Sequence, residues 1–272
     1  NYLNVYAENF ITPPVSSFLE VGKLSYGLKL PLSVNFALNS GMNRIGFSNL
    51  SEILGSVRVI LDNNKIDIFG AFSHLATKEE DLDFMRVQKE KFEYLLTPFY
   101  GLNIVRHLSN SNACLYHPEL NYDMVRVGFA LYGMTKNSFD LQPVVSIKSR
   151  VVFVHTINAG ESVGYGRSFV AKSSKKIAVV PLGYFDGISR MLSNCGRVII
   201  NGRYAPIVGK VCMDSFMVDV TEVDNVEVGT GVVIIGRQAG LEVELSEHAK
   251  LTKSSEYEVL ARINNSRMNI IV

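Results

Sequence analysis

Cysteine, charge excess and long apolar runs are all scarce in this chain, and each scarcity narrows what it does. Cys114, Cys195 and Cys212 are three in 272 residues. They are odd in number, widely spaced and without a CxxC pair, which argues against a disulfide framework and structural zinc and points to a reducing, cytoplasmic setting. A formal net charge of +1 leaves no electrostatic footprint for nucleic acid or an anionic membrane surface. No apolar run reaches the roughly 18 residues a bilayer span needs, and no signal peptide opens the sequence. No internal repeat or low-complexity tract interrupts it. What remains is an ordinary globular composition, 47% hydrophobic and 19% charged, with length for a sizeable core and two domains.

Two rhythms divide the chain. Over residues 1–138, short apolar runs alternate with helical stretches. "KLPLSVNFAL", "KIDIFGAFSHL" and "LNIVRHLS" read as strands. "TKEEDLDFMRVQKEKFEYLL" reads as a helix with Thr77 as N-cap and Glu80 at the capping-box position. Its expected buried stripe is Leu82, Met85, Phe92 and Leu95, widened by Phe84 and Val87. "MVRVGFALYG" reads as a strand running into a turn. Such alternation predicts parallel βα units. Over residues 139–272 the segments become short and β-type, separated by turn signals at Asn158–Gly160, Asn201-Gly202 and Gly229–Gly231. This half reads as all-β, with one helix near 246–258. The fold class is therefore α/β plus all-β. A partial TIM-type (β/α)8 barrel with a C-terminal β domain fits, as does an open doubly wound sheet. A full barrel takes about 250 residues, so the first half falls short by about three strands.

Polar residues gather at the expected C-terminal ends of the strands, where parallel βα proteins place their sites. These are Arg44, His74, Ser111 and Arg126, with Gly128 just beyond. Singly, each has a plain structural reading: a strand-end histidine is commonly half-buried, and a lone arginine makes a surface ion pair. Four at successive strand ends form a stronger pattern. In the second half, "KVCMDSFMVDV" sets Cys212, Met213 and Asp214 at the lip of a strand. There Cys and Met can fill a core and Asp can mark a turn.

The segments "SGMNRIGF" (40–47), "FSHLAT" (72–77), "SNSNA" (109–113) and "DMVRVGFALYG" (123–133) resemble alanine racemases. So do "GESVGYGRSF" (160–169), "VVPLGYFDGISR" (179–190), "APIVGKVCMD" (205–214) and "YEVLARI" (257–263). That family pairs a pyridoxal 5'-phosphate (PLP) barrel with a C-terminal β domain and works as a homodimer with shared sites. The resemblance implies interconversion of L- and D-alanine by two bases, which in bacteria supplies D-alanine for peptidoglycan. Tyr165 is implied as one catalytic base. Arg44 is implied to hold the substrate carboxylate, with the backbone at Met213 beside it and Tyr184 narrowing the entrance. Arg126 matches the arginine facing the PLP ring nitrogen, with His74 in contact with it. Ser111, Gly128, Phe129 and Tyr257 match phosphate-binding positions.

Two parts of the family pattern are missing. The PLP lysine motif has no match; Lys23 in "VGKLSYG" is the nearest look-alike, and Lys29, Lys65 and Lys136 sit in unrelated contexts. With the missing strands, this implies roughly 90 residues ahead of Asn1. Where the family often has a carbamylated lysine and an aspartate, this chain has Ala37 and Asn39, so the support for Arg44 differs. Two other readings stay open: an inactive remnant that dimerises as a half-site, and a metal-dependent barrel hydrolase using His74 and His107.

Overall fold

The computed structural model describes residues 2–77, 81–134, 139–264 and 266; Glu80 and Lys136 lie outside them. The chain divides into two compact units, Asn1–Leu141 and Gln142–Val272.

The first unit is built of βα repeats. Helix α1 (Tyr2–Glu8) precedes β1 (Pro14–Val15), α2 (Phe18–Gly27), β2 (Leu32–Ala37) and α3 (Leu50–Leu61). Then follow β3 (Ile66–Phe72), α4 (Leu82–Leu96), β4 (Val105–His107) and α5 (Ser111–Tyr116). The four strands form a parallel sheet in the order β1-β2-β3-β4. Parallel neighbours need a crossover between them, and α2, α3 and α4 lie in those crossovers. Alternation in β2 buries Val34 and Phe36 against the helix layer, where Ile53 and Ile60 of α3 are also buried. Phe36 stacks on Phe47 at 5.4 Å and meets Phe99 edge-on at 5.0 Å. Each such ring contributes about 1.5–3 kcal/mol by leaving water.

Helix α4 departs from its sequence pattern. Asp81 caps it, its carboxylate accepting from Phe84 N at 3.1 Å. Thr77 lies four residues too early, and its buried hydroxyl has no partner among the described residues. The buried face is Met85, Gln88, Phe92, Leu95 and Leu96. Met85, Phe92 and Leu95 of the expected stripe are thus buried, whereas Leu82, in the first turn, and Phe84 and Val87, off the buried face, are exposed. "MVRVGFALYG" also forms no regular strand. Asp123 N and Met124 N donate to Arg106 O, and Arg126 N to Ser109 O, before a 3-10 turn over Phe129–Tyr132.

The second unit is antiparallel. It comprises β5 (Ile147–Arg150), β6 (Phe153–Ile157), β7 (Ser162–Val163), β8 (Phe169–Val170) and β9 (Lys175–Val180). Next come β10 (Arg197–Ile200), β11 (Arg203–Val208), β12 (Phe216–Asp219), β13 (Gly231–Gln238) and β14 (Leu241–Val243). The main sheet runs β14-β13-β10-β11-β12-β9-β6, with β5 also on β13, and β7 pairs with β8. Asn201 and Gly202, both at positive φ, close the two-residue β10–β11 hairpin, as an Asn-Gly pair favours. The single helix expected near 246–258 is two: α6 (Leu245–Leu251) and α7 (Glu256–Ala261). Lys253 takes φ +53° between them, and Ser255 caps α7 by accepting from Glu258 N.

The cap assignment is testable by urea unfolding. Asp81→Ala is expected to cost the first unit about 1 kcal/mol, and Thr77→Ala to change nothing. Equal losses in the two variants would return the cap to Thr77.

Candidate active-site residues in the two units

Strand register places the first cluster. Ala37 pairs with Phe72, and Phe72 with His107, so these three form a row across the C-terminal ends of β2, β3 and β4. The His107 imidazole lies parallel to the Phe72 ring at 5.2 Å. The Arg126 guanidinium lies over the same ring at 5.4 Å.

Arg126 is held by lone pairs with no carboxylate among them. Its Nη1 donates to His107 Nδ1 at 2.5 Å and His107 O at 3.1 Å; Nη2 donates to Ser73 O at 2.6 Å and Leu108 O at 3.1 Å. Among the described residues the imidazole bonded to Arg126 is that of His107, while His74 lies within reach of the Arg126 charge. Nε–H has no acceptor among the described residues and stays free to donate. Because arginine offers only donors, His107 Nδ1 must accept, which puts the imidazole proton on Nε2. Burial, then the Arg126 charge, pushes His107 down to about 4.

His74 and Arg44 come together beside this row. They line a shallow depression with Ala37, Met42, Ile45 and Phe72. Burial lowers the half-buried His74 below its usual value, and the charges of Arg126 and then Arg44 lower it further. Asn39 shapes the turn that carries Arg44. Its Oδ1 accepts from Gly41 N at 3.2 Å and Asn43 N at 3.0 Å, while Nδ2 donates to Asn43 Oδ1 and Ser48 Oγ.

Ser111 opens α5, next to the cap Asn110. Its Oγ accepts from Gly128 N at 2.9 Å and Ala130 N at 3.3 Å, so Ser111, Gly128 and Phe129 form one cluster. A Cβ on Gly128 would meet nothing within 4 Å; the space beside these amides is open. Among the described residues, no three His, Cys, Asp or Glu side chains converge on a common point. The Arg126 charge beside His107 and His74 also disfavours a cation there.

The remaining candidates lie in the second unit. Tyr165, 71% exposed, projects from a turn between Gly164 and Gly166, both at φ +71°. That turn rests on Lys210: its Nζ lies 3.3 Å from where a Gly166 Cβ would stand. Tyr184 and Met213 are joined through their backbones. Tyr184 N donates to Cys212 O at 3.0 Å, and Phe185 N to Met213 O at 2.9 Å. Tyr257 is in the first turn of α7, and the chain after this helix returns to the Tyr184 turn through Asn264 N to Asp186 O at 3.2 Å. Asp214 is exposed at the strand lip and accepts from Ser215 Oγ.

Two measurements check this geometry. In a histidine NMR titration, His107 is expected to stay neutral, as the Nε2–H tautomer, until about pH 4. The unfolded chain protonates it near 6.5, so this residue withdraws stability as pH falls between those values and has no effect above them. Gly183→Ala would bring a Cβ to 2.3 Å from Met213 O. It is expected to lower the melting temperature, whereas alanine at the open position Gly128 is not.

Comparison with known proteins places these clusters in a lineage. Residues 2–136 match the family model for the alanine racemase N-terminal domain, and 144–271 that for the C-terminal domain. The chain is 37% identical over 257 residues to alanine racemase 2 of Caldanaerobacter subterraneus subsp. tengcongensis, covering 90% of this chain and 66% of that protein. It is likewise 37% identical to the alanine racemase of Clostridium kluyveri, covering 93% and 67%. The chain thus spans about two thirds of the length of these relatives. The crystal structure of alanine racemase from E. faecalis superposes with a TM-score of 0.92 at 30% identity, covering 97% of this chain and 73% of that one. Histidine racemase from Leuconostoc mesenteroides subsp. sake gives 0.90 at 26% identity, covering 100% and 75%. Matched in order by both domain models and at this level of identity, the chain belongs to the alanine racemase family.

Proposed function

We propose that the protein this chain belongs to is a PLP-dependent alanine racemase. The observation that carries the reading is Arg126: a guanidinium held by carbonyls and a neutral imidazole, with no carboxylate and one N–H left over among the described residues. Such a group suits an anionic cofactor with a ring nitrogen that accepts. When bound, PLP withdraws electrons from the amino acid and acidifies its Cα–H.

The chain's own residues fit that cofactor. Arg126 Nε–H would donate to the ring nitrogen, and since arginine holds its own protons, it would leave that nitrogen without one, which would favour racemisation over transamination. Ser111 Oγ–H, its oxygen fixed by the Gly128 amide, would hold the phosphate with the Phe129 amide and the Tyr257 hydroxyl, as backbone N–H groups and hydroxyls do for anions without many cations. Arg44 would bind the substrate carboxylate, with the Met213 backbone beside it. Tyr165 would move the proton on one face of Cα; a phenol has a pKa near 10, so it needs a positive neighbour or a donor to act as a base near neutrality. Tyr184 would narrow the entrance for a methyl side chain.

Alanine is preferred as substrate because the curated relatives at 33–38% identity are named for it. The second base, a lysine in the family, has no matching motif in this sequence. In this reading the enzyme is a cytoplasmic homodimer that supplies D-alanine to the cell wall. No helix among the described residues is long and apolar enough to cross a membrane.

The test, on the whole protein this chain belongs to, is deuterium incorporation at Cα of alanine in D2O with PLP, alongside a PLP titration by absorbance. Saturable, stoichiometric PLP binding that weakens in Arg126→Leu is expected. Tyr165→Phe is expected to slow exchange into L-alanine by about 10²–10⁴-fold. A protein that binds no PLP, or a Tyr165→Phe variant that exchanges normally, overturns the respective part.

A further inference from the structure

Gln88 is polar, lies in the middle of α4 and is fully buried at 0% exposure. A Leu or Met of similar volume would fill the same space, so packing does not explain the carboxamide. Its hydrogen bonds do. Oε1 accepts from Ala76 N at 2.8 Å, and Nε2 donates to His74 O at 3.2 Å and to Ser40 Oγ at 3.5 Å. Exchanging O and N would set donor against donor at Ala76, so the orientation is determined. Ser40 Oγ in turn lies 2.7 Å from Ser73 Oγ, both residues buried. Ser73 O is the acceptor of the short bond from Arg126 Nη2. Gly41, three residues before Arg44, packs on the same amide; a Cβ there would lie 3.2 Å from Gln88 Cγ.

We propose that Gln88 is a positioning residue for the reaction. Its carboxamide fixes His74 and the turn bearing Arg44 relative to Arg126, from the helix layer behind the sheet. The role in the reaction rests on the racemase reading; the clamp itself rests on the contacts above. One side chain thereby ties the C-terminal ends of β2 and β3, each of which starts a loop with a candidate residue. The Ser40–Ser73 pair carries the constraint on to the carbonyl that holds Arg126.

The test needs no cofactor. His74 and His107 are followed by NMR titration in the full chain with labelled histidine. The charges that act on His74 are those of Arg126 and Arg44. Gln88→Met frees the 73–76 segment from that field and lets water reach it, so the His74 midpoint is expected to rise toward 6.5. His248, in the other unit, should not move. Ser40→Ala deletes one hydroxyl only and is expected to give a smaller rise; it also decides the matter where Gln88→Met fails to fold. An unchanged His74 midpoint in folded Gln88→Met, or in Ser40→Ala in its place, overturns the proposal. A His74 shift supports the clamp whatever the exchange assay gives, whereas the racemase reading is overturned only if the whole protein this chain belongs to binds no PLP, so the two failures are distinct.

Discussion

A guanidinium that no carboxylate among the described residues neutralises organises the first unit. The C-terminal ends of β3 and β4 bring the carbonyls of Ser73, His107 and Leu108 around Arg126, and the Phe72 ring supplies a floor. These dipoles hold the cation in place without cancelling its charge, so the surroundings stay positive. Burial first, and that charge second, lower both nearby histidines, and the neutral His107 serves as an acceptor for the same arginine. Arrangement and protonation state thus depend on each other: a protonated His107 would repel the group it now receives a hydrogen bond from.

The second unit solves a different problem with backbone alone. Tyr165 is exposed, and two left-handed glycines on Lys210 give its turn a defined shape. Tyr184 and Met213 belong to segments that lie within a peptide's width of each other at Gly183, where no Cβ fits. Neither arrangement relies on a buried side chain at the candidate position. That suits residues which, in the proposed homodimer, face another copy of the chain.

The sequence reads clearly where local physics decides the outcome. β2 and β3 show the alternation that a half-buried strand requires, the Asn201-Gly202 hairpin follows from turn chemistry, and ordered motifs identify the candidate residues. It reads poorly where tertiary contacts decide. His107 and Arg126 are 19 residues apart, and nothing in "LNIVRHLS" tells that Nδ1 will meet a guanidinium. Gln88 sits in a charged stretch, "RVQKEKFE", and so reads as part of a solvated face. Thr77 and Asp81 both offer caps at the same helix; only the packing of Met85 and Phe92 on the sheet selects the later one. Asn39 takes the aspartate position of the family pattern, and its hydrogen bonds within the turn become visible only once Asn43 adopts φ +55°.

The close approach at Gly183 has a mechanical consequence. Two hydrogen bonds and a steric contact join the Tyr184 turn to the Cys212–Met213 segment, so they share one degree of freedom. A displacement of either carries the other along. The width of an opening set by Tyr184 and the position of the Met213 backbone are therefore coupled variables, and drift in the chain that alters one must alter the other or be compensated at Gly183.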